Sequence, residues 1–253
     1  MSSWRDVRVA GSFLTRVPLH VEGEIDMARA TPWFPAIGLC IGAVGAGVFA
    51  AANEVLPAGL VAALALVATA LVTGAFHHDG LADIADGFGG GWDREQRLAI
   101  LKDSRHGTYG VVSLVLLVAV QWAALSLLST PWAVAGLVSA HILARAAILG
   151  VLLTSRPARP EGLGTDYSAG LRRGSCVAAI VLAIAAGGVL MGGWVALAVA
   201  LVIITTVAVV ALAFRKIGGI SGDVLGAAEQ LGEAAVLIAI AAAADTGRLP
   251  WWR

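Results

Sequence analysis

The sequence predicts an all-α, polytopic membrane protein with about seven transmembrane helices. Of its 253 residues, 58% are hydrophobic and only 13% are charged, a balance typical of membrane proteins and not of soluble domains. Apolar stretches of close to 20 residues recur along the chain, and each is long enough to cross a hydrocarbon core of about 30 Å as a helix. The basic residues are concentrated in a few of the links between these stretches. A lipid bilayer is therefore the expected environment.

The apolar stretches give the order of the predicted spans. They cover 33–55, 58–75, 111–129, 132–153, 176–191, 194–214 and 231–244. The last stretch is short, and a helix that begins near Ser221 would enter the membrane obliquely. No internal repeat or low-complexity linker divides the chain. Residues 1–253 are therefore expected to form a single integral membrane domain.

The links between spans differ in their content of basic residues. Links 53–57, 129–131 and 191–193 contain no Lys or Arg, whereas the N-terminal segment 1–32 and links 77–110, 154–175 and 215–223 hold nearly all of them. The exceptions are Arg145, Arg248 and Arg253. Because an excess of Lys and Arg marks cytoplasmic loops, the N-terminal segment and the three basic links are expected to face the cytoplasm.

Composition also restricts the possible partners and bonds. The net charge is zero, so the chain offers no basic field for a nucleic acid, which we do not expect as a partner. Cys40 and Cys176 lie within or beside apolar runs, without a Cys or His at metal-ligand spacing. Both are expected to be small buried hydrophobes. The oligomeric state is left open, a homo-oligomer included.

Link 77–110 begins with three aspartates at i, i+4 and i+7: Asp79, Asp83 and Asp86. On a helix this spacing places all three on one face, where like charges repel, and the preceding apolar span adds a desolvation cost. A hard divalent cation such as Mg²⁺, shared with substrate phosphate oxygens, would neutralise them. The alternative is a solvated helix start, where the helix dipole favours acids. We interpret the triad as a metal site in a catalytic, Asp-rich cytoplasmic loop.

The second half of this link carries further candidates. After three glycines, Asp93 and Gln96 form a plausible N-cap and N3 pair that starts a short helix to Lys102. Lys102 and Arg105 are suited to phosphate contacts, and Asp103 is a possible additional ligand. The alternatives are ordinary basic decoration of the cytoplasmic side for the two cations and a structural salt bridge for Asp103.

Acids also follow the sixth span. Asp223 lies in the first turn of a helix whose glycines at 218, 222 and 226 permit close helix packing. Packing alone does not need an acid, so Asp223 is expected to face the same site as the first cluster. Glu229 and Glu233 continue this helix, and their interpretation stays open between the site and an interfacial polar face.

The fourth span contains two polar side chains on one face, His141 and Arg145. An arginine in a span costs about 2.5–3.5 kcal/mol on insertion scales unless it reaches the interface or is paired. We expect Arg145 to pair with an aspartate or with a substrate phosphate.

Several motifs, taken in order, resemble the adenosylcobinamide-GDP ribazoletransferase family, also called cobalamin-5′-phosphate synthase. They are FLTRVP at 13–18, FHHDGLADIADG at 76–87, KDSR at 102–105, GTYG at 107–110, EGLG at 161–164, GD at 222–223 and LGA at 225–227. His78 stands where the family usually has an apolar residue, and Ser221 where Thr is common. The motifs extend over nearly the whole chain, which makes the resemblance more specific than any one of them.

The resemblance implies a Mg²⁺-dependent enzyme of the bacterial inner membrane, with an active site that faces the cytoplasm. Such an enzyme joins adenosylcobinamide-GDP to α-ribazole or its 5′-phosphate and releases GMP. With the chemistry of the residues, it gives catalytic and metal-binding roles to Asp79, Asp83 and Asp86, a catalytic role to Asp103, and substrate binding to Lys102, Arg105, Arg145 and Asp223. The general base stays open among a spare aspartate, His77 and His106.

Three other classes of membrane protein share some of these sequence features. CDP-alcohol phosphotransferases, which make phospholipids, share the opening Asp83-x-x-Asp86-Gly87, but Phe88–Gly91 then departs from their pattern and no later D-x₃-D follows. A membrane prenyltransferase could use Asp79-x₃-Asp83 but should have a second Asp-rich cluster. A transporter should place its acids near mid-membrane, usually with an internal repeat.

Overall fold

The fold is known from a computed structural model, which describes residues 3–23, 25–103, 105–158 and 170–246. Within these ranges the protein is all-α, as the sequence predicts, and the isolated β-bridge between Pro157 and Ile220 is the extent of its β-structure. The helices are α1 Ser3–Leu14, α2 Met27–Ala30, α3 Phe34–Ala52, α4 Ala58–Thr73, α5 Phe76–Gly90, α6 Arg94–Ile100, α7 Thr108–Ser126, α8 Thr130–Thr154, α9 Arg173–Met191, α10 Val195–Ile217 and α11 Gly222–Asp245. The EGLG motif at 161–164 and the end of the chain from 247 lie outside the described residues.

Within the described ranges, five helical stretches are long and apolar enough to cross a membrane. They are Met27–Ala52, Thr108–Ser126, Thr130–Thr154, Arg173–Ile217 and Gly222–Asp245, with a sixth if α4 and α5 count as one bent span. The 45-residue stretch contains both α9 and α10. A Cβ built on Gly187 would lie 3.1 Å from Val195 Cγ2, although eight residues of straight helix span about 12 Å, so the chain reverses at the turn around Gly192. The count of seven spans stays a prediction.

Most of the first half of the predicted link 77–110 is helix α5, the conformation that the one-face spacing of its aspartates requires. Helix α4 ends at Thr73, and Gly74 and Ala75 then adopt left-handed conformations with φ of +64° and +56°. The chain bends by 91° at this point before α5 begins. Glycine is required at position 74 for two reasons. Its φ is positive, and a side chain there would overlap Arg16. The aspartates therefore lie on a helix set at a right angle to α4.

Helix α8 lies at the centre of the bundle and contacts α3, α9 and α11. Most of its side chains are apolar and buried, as expected for a helix surrounded by others. Glycines bring α3 close to it: a Cβ on Gly42 would lie 2.7 Å from Val138 Cα, and one on Gly38 would overlap the His141 carbonyl. The side chains of α8, Arg145 among them, are therefore held in the interior.

The three basic links meet at one end of the bundle. Arg94 donates hydrogen bonds to the carbonyls of Ile217 at 2.9 Å and Ala158 at 2.7 Å, and Arg97 donates to the Lys216 carbonyl at 3.3 Å. Two charge-poor links also meet, through a hydrogen bond of 3.0 Å from Asn53 Nδ2 to Thr130 Oγ1. This arrangement matches the segregation of basic residues in the sequence.

The two cysteines have different surroundings. Cys176 is buried as expected, whereas Cys40 is exposed, so the prediction of two buried cysteines is wrong for Cys40. Cys40 lies on α3, within the apolar stretch Met27–Ala52, where lipid can cover the outward face of a helix.

Candidate active site

Three side chains form a cluster that could hold a metal ion: Asp79, Asp83 and His106. One ligand atom from each lies within 4.8 Å of the other two. His106 Nε2 is 3.4 Å from Asp79 Oδ1, and His106 Nδ1 is 3.7 Å from Asp83 Oδ1. The carboxylates come from consecutive turns of α5, whereas His106 comes from the segment just before α7. The exposed fraction falls from 62% for the Asp79 side chain to 15% for Asp83, so the cluster opens outward and Asp83 lies at its base.

The surroundings of Asp83 disfavour its charged form. Burial, together with the negative charges of Asp79 and Asp223, raises the pKa of its carboxyl from 3.8 to about 6, against a smaller opposing effect of His106. Beside two other acids this carboxyl group ionises only at a raised pH. A bound cation would stabilise its charged form. The cluster therefore suits a cation better than it suits an empty solvated helix start.

Asp223 lies beside this cluster, as the sequence predicts. A Cβ built on Gly80 of α5 would lie 3.0 Å from Asp223 Cα, so the glycine allows α11 to begin directly against α5. Ser221 caps α11 by accepting a hydrogen bond from the Val224 amide at 3.3 Å, and its hydroxyl donates to Asp223 Oδ2 at 3.2 Å. Close packing of the two helix starts thus adds a further acid to the site.

The donor set fits a divalent metal ion. Two carboxylates with room for waters and phosphate oxygens are the usual protein ligands of Mg²⁺. The imidazole of His106 would also suit Mn²⁺, Fe²⁺ or Zn²⁺, because nitrogen ligands favour the later metals. Mg²⁺ stays a prediction, now with His106 as a candidate ligand that spacing along the chain did not indicate.

Asp86, predicted as the third metal ligand, has a different set of partners. Its carboxylate accepts hydrogen bonds from the backbone amides of Gly107 at 2.6 Å and Gly110 at 2.8 Å, and the side chain is buried. Side chains at these two glycines would collide with the carboxylate. Asp86 thus joins α5 to the start of α7, and His106 takes its place in the ligand cluster.

Asp103 and Arg105 form an exposed ion pair with each other. Arg105 Nη2 lies 2.6 Å from Asp103 Oδ2, and its Nε also donates to the carboxylate. These hydrogen bonds lower the pKa of Asp103 to about 2. The structural salt bridge left open for Asp103 is therefore present, and Asp103 does not belong to the metal-ligand cluster. Lys102 is exposed beside this pair.

Arg145 is paired with two glutamates of α11 and not with an aspartate. Its Nη1 lies 2.5 Å from Glu229 Oε1 and 2.9 Å from Glu233 Oε1, and the Arg145 side chain is only 1% exposed. His141 of the same helix also contacts Glu233. Helices α8 and α11 pack side by side, so the glutamates of α11 reach the guanidinium directly. The expected aspartate partner is wrong, whereas pairing with a substrate phosphate stays a prediction. The two glutamates are buried and not on an interfacial face.

His77 faces this interior network. Its Nδ1 lies 3.1 Å from Glu229 Oε2, and its side chain is 7% exposed. Because His77 is buried and engaged by Glu229, it is poorly placed to act as a base in the exposed cluster. His106 and a spare aspartate remain as candidates.

The fold and the site define an integral membrane protein with a carboxylate and histidine cluster at one end of its helical bundle. The chain belongs to the cobalamin-5-phosphate synthase family, whose model matches residues 6–241. It is 43% identical to an adenosylcobinamide-GDP ribazoletransferase of Bradyrhizobium diazoefficiens, over 96% of this chain and 95% of the relative. Relatives of the same name are 40% identical in Shewanella frigidimarina, over 92% and 93% of the two chains, and in Mesorhizobium japonicum, over 92% and 91%. No solved structure matches the chain significantly.

Proposed function

We propose that this protein joins adenosylcobinamide-GDP to α-ribazole or α-ribazole 5′-phosphate, releasing GMP and forming adenosylcobalamin or its 5′-phosphate. Membership in the family supports the proposal, as do the names of the similar proteins, which cover almost the whole chain. The observation that carries it is the cluster of Asp79, Asp83 and His106, which lies within the matched region and has the chemistry of a phosphate-handling metal site.

The proposed reaction is a transfer at phosphorus. A ribose hydroxyl oxygen of ribazole forms a new bond to the phosphorus atom attached to cobinamide. The bond from that phosphorus to the bridging oxygen of the diphosphate breaks, and its electron pair leaves with GMP. The hydroxyl proton passes to a base of the protein. Such a reaction depends mainly on positioning and on stabilising the charge of the phosphate oxygens.

The roles follow from the geometry of the site. Asp79, Asp83 and His106 would hold Mg²⁺, with Asp223 beside them, and the bound ion would supply positive charge to the phosphate oxygens. Lys102 and Arg105, both exposed next to His106 in the chain, would contact phosphates of the incoming nucleotide. The base is an aspartate that is not engaged with metal, or His106 in the case that the carboxylates alone hold the ion. Arg145 joins helices α8 and α11 in this assignment and does not bind phosphate.

We also propose that the protein lies in the bacterial inner membrane with this site on the cytoplasmic side. The basic residues of the sequence support this orientation, and the three basic links meet at the end of the bundle that carries the aspartates. Water-soluble nucleotide substrates would then reach the site directly.

The decisive experiment is an assay of the purified protein in liposomes. With adenosylcobinamide-GDP, ribazole phosphate and Mg²⁺, we expect GMP and the cobalamin product in equal amounts by liquid chromatography and mass spectrometry. Asp83→Asn should lose the activity. Glu54→Gln, which neutralises an exposed carboxylate in a charge-poor link, should retain it. Absence of GMP formation by the parent with each divalent metal in turn would contradict the proposal.

A further inference from the structure

A cavity of about 300 Å³ lies inside the bundle between α4, α5, α7, α8 and α11. Aliphatic side chains from α4 and α11 form much of its wall. Five polar side chains also line it, Thr69, His78, Gln121, His141 and Glu233, together with the ring of Trp122. This combination of an apolar wall with a few polar groups is characteristic of sites for small organic ligands.

Two of the polar groups point to a ligand. Gln121 belongs to α7, an apolar stretch long enough to cross the membrane, yet its primary amide is 2% exposed and lines the cavity. The buried Nδ1 of His78 has no hydrogen-bond partner within the described part of the chain. The unpartnered His78 nitrogen is costly in a membrane interior, and a bound molecule with a matching acceptor or donor removes that cost.

The polar end of the cavity is held rigidly. Glu233 contacts both Arg145 and His141, so its charge is offset inside the protein. The cavity therefore offers fixed hydrogen-bonding groups, and the carboxylate at its polar end is already paired within the protein. A neutral ligand is expected. The volume is near the lower limit of about 300 Å³ for small-molecule sites, which suits a bicyclic ring and excludes a corrin or a complete nucleotide.

The cavity and the metal cluster share the first turn of α5. His78 lines the cavity, and the next residue, Asp79, belongs to the cluster of carboxylates. Both lie in the first turn of α5, so one substrate can place its sugar at the aspartates and its base in the cavity.

We propose that this cavity binds the aromatic base of the ribazole substrate, which rests on the function proposed above. That base is a dimethylbenzimidazole, whose two methyl groups and fused rings suit the aliphatic wall and the Trp122 ring. In the nucleoside it has one free ring nitrogen, which can accept a hydrogen bond from Gln121 or His78. The guanine of the other substrate has several polar edge groups, most of which would lack partners here.

The first test fills the cavity. Ala70 lines it from α4, so Ala70→Leu should reduce the space for the base and raise the KM for ribazole phosphate about tenfold, the usual effect of excess bulk in an apolar pocket. The KM for adenosylcobinamide-GDP should stay within about twofold. Ala70→Leu should raise the KM less for a ribazole analogue that lacks the two methyl groups, because the base of that analogue is smaller. Ala68→Leu, the same change on the same helix away from the cavity, is the matched control.

A second variant tests the polar contact without filling the space. Gln121→Met keeps the length of the side chain and removes the amide, so the protein should fold and the KM for ribazole phosphate should rise. The proposal is wrong if neither variant differs from the control, if both KM values rise together, or if only the KM for adenosylcobinamide-GDP rises.

Direct binding separates this inference from the proposed function. Ribazole added to the parent protein without the second substrate should quench Trp122 fluorescence, measured against a Trp122→Phe variant. Ala70→Leu should weaken this binding. Quenching without any GMP formation would contradict the proposed reaction and leave the base site standing. GMP formation with unaltered ribazole binding in Ala70→Leu would contradict the base site alone.

Discussion

Asp86 of α5 accepts a hydrogen bond from the backbone amide of Gly107, with 2.6 Å between Oδ2 and N. The same carboxylate binds the Gly110 amide, whereas Asp83, one turn earlier, lies in the metal cluster. Two aspartates on one helix thus have different tasks. Asp86 holds the start of α7 against α5, and this places His106 beside the other carboxylates.

Asp86→Asn should lower stability whether or not metal is present. Asparagine keeps one oxygen for one of the two amides but turns an NH₂ group towards the other. The loss of a charged hydrogen bond and the unpaired donor should cost about 1–3 kcal/mol. Melting curves in detergent, with and without Mg²⁺, would show equal decreases. If Mg²⁺ instead stabilises this variant less than it stabilises the parent, Asp86 is a metal ligand.

Asp83→Asn should behave in the opposite way. Without metal the variant should be at least as stable as the parent, because the substitution relieves repulsion from Asp79 and Asp223. Addition of Mg²⁺ should raise the melting temperature of the parent more than that of the variant, since only the intact site gains from ligand binding. GMP release should fall with the loss of metal affinity. Equal destabilisation in both conditions, or normal turnover, would remove Asp83 from the metal site.

The raised pKa of Asp83 predicts a pH dependence of stability. Without metal, the folded protein keeps this proton up to a pKa of about 6, whereas the unfolded chain releases it near 3.8. The folded state therefore binds more protons between these values, and stability should fall as the pH rises from about 4 to about 6. The difference between parent and Asp83→Asn melting temperatures across this range isolates the group. Saturating Mg²⁺ should reduce the decline, and a difference independent of pH would contradict the assignment.

Arg145→Leu should be strongly destabilising, although leucine is more hydrophobic. The substitution leaves Glu229 and Glu233 buried without their cation, and breaking a buried ion pair costs about 3–5 kcal/mol. Lysine should restore part of the loss, because it keeps the charge without the planar fork. Further replacement of both glutamates by glutamine should also recover stability. If Arg145→Leu keeps its melting temperature but raises the KM for adenosylcobinamide-GDP, the phosphate role expected from the sequence is correct.

The orientation of the bundle can be tested by cysteine labelling. In a background with Cys40 and Cys176 replaced by alanine, Glu54→Cys and Lys102→Cys place single exposed thiols in a charge-poor and a basic link. An impermeant maleimide should label position 54 from the periplasmic side of intact cells and position 102 only after lysis. Labelling of position 102 in intact cells would reverse the orientation and put the aspartates outside the cytoplasm.

Features that depend on local sequence could be predicted from it. The all-α membrane fold follows from apolar stretches, and the meeting of the basic links at one end follows from charge segregation. Asp79 and Asp83 follow from their spacing on one helix. Asp223 is close to them because glycines at the starts of both helices permit contact, and the glycines of α11 gave that signal in the sequence.

Features that depend on contacts between distant segments could not be predicted. His106 reaches the cluster through the path of the chain between α6 and α7, which has no periodicity to interpret. Asp86 lies only about 20° from Asp79 around the helix, but it is about 10 Å further along the axis, where it meets the start of α7. The partners of Arg145 depend on the register of α8 against α11, and no single segment of sequence contains that information.

The pairing of α8 with α11 also bears on how the protein is made. Chains are synthesised from the N-terminus, so Arg145 enters the membrane with α8 well before Glu229 and Glu233 arrive with α11. During this interval the nascent protein holds an uncompensated guanidinium in a span, which costs about 2.5–3.5 kcal/mol. Arrival of α11 neutralises it, and the same helix brings Asp223 to the aspartates. A chain truncated before Gly222 would therefore lack both the partners of Arg145 in the membrane interior and a complete site.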